Sequence, residues 1–163
     1  MEQITSRELV ETPLGLVAVC VANGKVVEVG FTSVNNLPAF AANSADGDLA
    51  KEAARQLRDY FAGERKDFDL PITFSGTRFQ EAVWKQIAKI EYGQTATYKD
   101  LAIRIGKPKA ARAVGGAVGA NPIGIIVGCH RILGSSGQLT GYSGGQGVPT
   151  KVKLLELEGI AHR

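Results

Sequence analysis

A chain of 163 residues is long enough for one ordinary domain or two small ones. With 44% hydrophobic and 21% charged residues it reads as a soluble globular protein, which excludes disorder as the default, and no apolar run approaches the roughly 20 residues that span a bilayer. The net charge of +3 is unevenly spread: residues 1–75 carry 7 basic against 11 acidic side chains and residues 76–163 carry 12 against 5, so the second half suits an anionic partner.

The N-terminal stretch MEQITSRELVE lacks the basic-then-apolar order of a signal peptide, so a cytoplasmic protein is expected. Three segments then alternate as β-strands: SRELVET, GLVAVCVA and KVVEVGF. Asn23-Gly24 between the last two is the favoured pair for a type I′ hairpin, so the strands form an antiparallel meander. NNLPAFAANSADG reads as a loop. Asp48 is expected to open a helix with Leu49, Ala53, Leu57, Tyr60 and Phe61 on one face, stopped by Gly63. KDFDLPITFSG is an extended connector, and a domain boundary is placed there, giving domains 1–75 and 76–163.

From Thr77 the pattern becomes helical. Thr77 and Gln80 form a capping box, and Phe79, Val83, Ile87 and Ile90 line one face of the helix that follows. Thr97 and Asp100 cap YKDLAIRIG in the same way, and after a turn at Gly106 a further helix is expected to begin at Pro108. Two short helices around a glycine-containing turn make a helix-turn-helix candidate. The second of them is rich in alanine and glycine and projects little beyond Lys109 and Arg112, which fits a narrow groove better than base-edge readout. The same small residues also fit plain tight packing within the domain.

Cys20 lies in an apolar strand and reads as a buried, inert thiol. Two cysteines far apart and the histidines at 130 and 162 do not complete a structural zinc site, so no metal is expected. Cys129 is different, because His130 follows it and a histidine is the usual helper in forming a thiolate. Neighbours on a strand point to opposite faces, so the pair works only where the chain turns or a water bridges them. Glu158 shares the inward face of the last helix with Leu154 and Leu155, and a carboxylate near that helix end calls for a cationic or hydrogen-bonding partner unless the end is frayed. It could orient His130, completing a nucleophile, base and carboxylate arrangement.

The stretches GTRFQEAVWKQIAKIEYGQTATYKDLA, KAARAVGGAVGANPIGIIVGCHRILGSSGQLTGYSGG and KVKLLELEG closely resemble the O6-alkylguanine-DNA alkyltransferases, over about residues 76–160. The resemblance implies an α+β fold: a ribonuclease-H-like N-terminal domain with antiparallel strands, and a mainly helical, winged-helix-like C-terminal domain carrying the helix-turn-helix. It implies repair of O6-alkylguanine in double-stranded DNA, and of O4-alkylthymine, by irreversible transfer of the alkyl group to the protein. The base is flipped from the minor-groove side, and no cofactor is used.

By position, Cys129 resembles the alkyl acceptor, His130 the water-mediated base and Glu158 its orienting carboxylate. Tyr98 resembles the residue that crowds the phosphate backbone and helps protonate the departing guanine, and Asn121 the hinge residue bracing helix to loop. Arg112 resembles the finger that fills the gap left by the base, and Lys99, Lys109, Ala111, Gly115 and Arg131 join Tyr98 on DNA. Tyr142, Ser143, Gly144 and Val127 resemble the pocket around the flipped base. Gly128 departs from the family's proline, from which a less well positioned thiol and a slower or less thermostable protein are expected. A monomer without membrane contact is expected, with cooperative binding along DNA left open. Two other readings use the same residues: a damage sensor that binds without catalysis, and a cysteine hydrolase.

Overall fold

The computed structural model describes residues 3–33 and 38–162, which cluster into two compact units, Met1–Ser75 and Gly76–Arg163. In the first, strands β1 (Ser6–Thr12), β2 (Gly15–Ala22) and β3 (Lys25–Phe31) lie where the alternation places them. With β4 (Phe40–Ala41) they form an antiparallel sheet in the order β3-β2-β1-β4. β2 is apolar almost throughout because it is an inner strand, buried from Val17 to Ala22. Asn23 and Gly24 turn the β2-β3 hairpin with φ of 49° and 76°, the two positive values a type I′ turn needs.

Helix α1 (Ser44–Phe61) packs on the sheet through Ala50, Ala53, Ala54, Leu57 and Tyr60. It begins earlier than Asp48, because Asn43 Oδ1 accepts from Asp46 N at 2.8 Å and caps it. Asp46, instead of facing water, accepts from the Thr5 hydroxyl and from Gly24 N, which ties the helix start to the hairpin. That is a tertiary contact invisible to a local pattern. The expected loop over 35–47 is thus replaced at its end by β4 and the first turn of α1, and residues 34–37 lie outside the described residues. The connector is held by buried Gln56, which donates to Asp69 O and accepts from Asp69 N, and by one parallel bridge from Ile72 to Val26 on β3.

The second unit opens with α2 (Arg78–Ile87), whose Thr77–Gln80 capping box is formed. β5 (Ala96–Thr97) leads directly into α3 (Tyr98–Arg104), capped reciprocally by Thr97 and Asp100. α4 (Ala111–Gly119) starts three residues later than Pro108, because Ala110 N bonds to Lys107 O at 2.9 Å and makes Lys107–Ala110 a turn, with no side-chain cap on the helix. Helices α2, α3 and α4 pack against one another, and the Trp84 indole N–H donates to Ala117 O at 2.8 Å. A 3-10 turn (Cys129–Arg131), β6 (Ile132–Leu133) and α5 (Val148–Leu157) complete it. β5 and β6 pair in parallel, Ala96 with Ile132 and Thr97 with Leu133, which brings the start of α3 beside the Cys129 turn. Among the described residues no helix is long and apolar enough to cross a membrane.

Candidate functional site

Residues 121–131 form an irregular loop rather than a strand end. Asn121 organises it: its Nδ2 donates to Val127 O at 2.9 Å and its Oδ1 accepts from Ile123 N at 3.0 Å. Ile126 N bonds to Gly124 O around Ile125, which is held at φ 70°, and Cys129 N bonds to Val127 O around Gly128 at φ −74° and ψ 64°. Both are γ-turns, and the one at Ile125 is the rare strained kind. They feed the 3-10 turn, so Cys129 and His130 are not disposed as strand neighbours.

Cys129 is a free thiol, 7% exposed, on the wall of a cavity of about 700 Å³. Tyr98, Ala111, Arg112, Gly115, Val118, Gly119, Thr140, Gly141, Tyr142 and Ser143 line the rest of it. Small residues on α4 open the mouth, Arg112 is exposed beside it, and Ser143 Oγ donates to Gly119 O at 3.0 Å, fastening the glycine-rich loop to the end of α4. Burial pushes the Cys129 thiol up, while the Asn121 amide and the Lys151 charge pull it back. Burial likewise raises the Tyr142 phenol. Cys20 is 3% exposed and lies within β2, as an inert thiol would.

Behind the thiol, His130 and Glu158 are fully buried, with His130 Nε2 2.6 Å from Glu158 Oε2. Since the carboxylate can only accept, Nε2 carries the proton and Nδ1 presents a lone pair that has no hydrogen-bond partner among the described residues. Glu158 is thus no frayed helix end. Its Oε1 accepts from Gly93 N at 3.0 Å and Arg131 Nε at 2.9 Å, and its Oε2 also accepts from Arg131 Nη2 at 3.0 Å.

Two assignments move. Arg131, expected on DNA, is 6% exposed and points inward to Glu158 and to Ile90 O, because the 3-10 turn rotates it away from the surface. Val127, expected at the base pocket, is buried and contributes its carbonyl to the Asn121 brace. Gly144 packs under the Tyr142 ring, where a Cβ would stand 2.8 Å from Cε2. Lys99 and Lys109 are exposed, and Gly115 lies against the Tyr98 ring. Gly128 adopts a φ that proline also takes, but a Cβ there would stand 3.0 Å from Arg131 Cδ and Nε, so the glycine gives the arginine its room.

Sequence reasoning missed Lys151 and Thr140. Lys151 is 1% exposed and donates to Ile132 O at 2.6 Å and to Thr140 Oγ1 at 2.9 Å, and Thr140 Oγ1 lies 2.6 Å from the Tyr98 hydroxyl. The signal was present: Lys151 precedes Leu154 and Leu155 by three and four residues, the same face that singles out Glu158. Burial pulls the Lys151 ammonium down to about 8 from 10.5, partly offset by Cys129. Between those values an unfolded chain holds the Lys151 proton and the folded one has released it, so the Lys151 contribution to stability rises with pH from about 8 to 10.5, against the opposite contribution of the raised Cys129 thiol. Urea melts of the protein and of Lys151→Met across that window check this: the parent should gain stability relative to the variant as pH rises if Lys151 carries the effect.

Among the described residues no cluster of three or more Cys, His, Asp or Glu side chains could hold a metal ion. The profile described as 6-O-methylguanine DNA methyltransferase, DNA binding domain, matches residues 78–160, and that described as the ribonuclease-like domain of the same methyltransferase matches 6–74. The methylated-DNA–protein-cysteine methyltransferase of Methanosarcina barkeri is 54% identical over 108 residues, 66% of this chain and 67% of the relative. That of Methanosarcina acetivorans is 53% identical over 112 residues, 69% and 70% of the two chains. The crystal structure of Mycobacterium tuberculosis OGT in complex with DNA superposes with a TM-score of 0.79 at 42% identity, covering 92% of this chain and 90% of the other. With both units matched in order and the thiol, histidine and carboxylate assembled in the second, the chain belongs to the 6-O-methylguanine DNA methyltransferase family.

Proposed function

We propose that this protein repairs DNA by direct reversal, transferring the alkyl group of O6-alkylguanine irreversibly to Cys129. The observation that carries the reading is the placement of Cys129 on a cavity walled by Tyr98 and the small-residue face of α4, with Arg112 at its mouth. The relatives named as methylated-DNA–protein-cysteine methyltransferases and the DNA-bound structural neighbour support it.

In this reading α3 and α4 form the helix-turn-helix, α4 lies in the minor groove, and Arg112 takes the place of the base that turns into the cavity. Exposed Lys99 and Lys109 contact phosphates. His130 takes the thiol proton through a water, and the thiolate sulfur attacks the alkyl carbon as the bond from carbon to O6 breaks. Tyr98 gives its hydroxyl proton to the departing guanine. The phenolate so formed is linked through the Thr140 hydroxyl to the Lys151 ammonium, which offsets its charge. The displacement balances without a cofactor, and the thioether product has no ready hydrolysis, so each molecule acts once. The same displacement at O4-alkylthymine, by a monomer, belongs to the proposal.

Intact-protein mass spectrometry after incubation with duplex DNA bearing one O6-methylguanine tests it. The protein should gain the mass of one methyl group, stoichiometrically and without turnover. Unchanged mass with retained DNA binding would make it a damage sensor, and indifference to the DNA would revive the hydrolase.

A further inference from the structure

Arg131 sits in a basic stretch yet spends its guanidinium inside the protein. Nε and Nη2 engage both Glu158 oxygens at 2.9 and 3.0 Å, and Nη1 donates to Ile90 O at 2.7 Å. A planar fork on a carboxylate is the strongest geometry such a pair adopts, and arginine stays charged at every working pH. The carboxylate that orients His130 is therefore already matched by a permanent cation. A proton on His130 would leave an uncompensated positive charge where the His130 and Glu158 side chains are both 0% exposed.

We propose that Arg131 is a positioning residue for alkyl transfer: it fixes Glu158 on His130 Nε2 and offsets the carboxylate charge, so that the imidazole rests neutral with Nδ1 open to take a proton. Charged groups act on His130 from both sides, Glu158 and Lys151 from α5 and Arg131 from the turn; the neighbouring titratable groups are Cys129 on the turn and Tyr92, which bonds to Leu157 O and faces Glu158 and Arg131. Burial is the largest influence and disfavours the imidazolium, Glu158 favours it, and Arg131 and Lys151 both oppose it. Without the arginine charge the Glu158 effect goes unopposed by its nearest partner. The inference rests on the alkyl-transfer reading only for what the neutral imidazole is used for.

The test is a nitrogen-15 NMR titration of the imidazole in the protein, Arg131→Gln and Arg131→Lys, with single-turnover methyl transfer measured over the same pH range. The parent His130 should remain a neutral Nε2–H tautomer from about pH 6 to 8. In Arg131→Gln, the His130–Glu158 pair should take up its proton about one pH unit or more higher, and the acid limb of the rate profile should move with it. Arg131→Lys keeps the charge and loses the fork, so its melting temperature should fall while its protonation midpoint stays. An imidazolium in the parent at neutral pH, or an unmoved midpoint in Arg131→Gln, overturns the proposal. Should Arg131→Gln fail to fold, the parent spectrum and the lysine variant still decide. Failure of the parent to accept a methyl group would sink the alkyl-transfer reading and leave the titration result standing.

Discussion

Cys129→Ala is expected to abolish alkyl acceptance completely while leaving a folded protein that still binds DNA. In the proposed reaction the sulfur is the acceptor, and the other thiol, Cys20, is 3% exposed within β2 and is not among the residues that line the cavity. The Asn121 amide reaches the thiol, but the loop itself is held by the bonds of that amide to the backbone, to Val127 O and from Ile123 N. Deleting one buried sulfur therefore costs about 1–2 kcal/mol at most, small beside the 5–15 kcal/mol of a typical domain. Mass spectrometry and a gel-shift titration with methylated duplex measure the two halves. Continued methylation of the variant would place the acceptor elsewhere; loss of DNA binding would mean that the loop depends on the thiol for its shape.

Glu158→Ala is the second large effect and combines stability with rate. It leaves the Arg131 guanidinium buried with only Ile90 O among its present partners, removes the acceptor of Gly93 N, and frees His130 to rotate. Removing one member of a buried ion pair costs about 3–5 kcal/mol, because the remaining charge is stranded. For a chain of this size that lowers the melting temperature by roughly 10 °C. Methyl transfer should fall about 100-fold or more even below the melting range, since a misplaced imidazole no longer addresses the thiol proton. Glu158→Gln keeps the shape and an oxygen for Arg131 but turns an amide donor or a neutral acceptor toward Nε2–H, so it should fall between. A melting temperature within a few degrees of the parent would show that the network is far looser than its distances imply.

Much of the fold was legible because its determinants are local. Alternation fixed β1 to β3, Asn23-Gly24 supplied both positive φ values, and two Thr-x-x-Gln/Asp patterns became capping boxes. The misplaced helix starts have the opposite origin. Asp46 is drawn to Thr5 and Gly24, and Lys107–Ala110 closes a turn before α4 can begin. In the site, Cys129, His130 and Glu158 were readable from type and spacing, whereas Arg131 was not. Its partner is 27 residues away, and in a basic stretch an inward-facing arginine looks like a surface one. Lys151 followed the same helical-face logic as Glu158, but a lysine is so often at the surface that the pattern passed unused.

The backbone at Ile125 has a consequence for how this site can fail. A β-branched side chain held at φ 70° is under tension, with only the Ile126 N to Gly124 O bond favouring it locally; it persists because the Asn121 amide pins the chain on either side and the side chain is buried. Such a loop behaves less like a soft hinge than like a drawn catch. Its geometry brings the thiol to the cavity, and once the amide lets go the strained residue is expected to relax away in one step rather than drift by degrees. Damage to the brace should therefore appear as a mixture of fully competent and fully inert molecules rather than as a uniformly slower population.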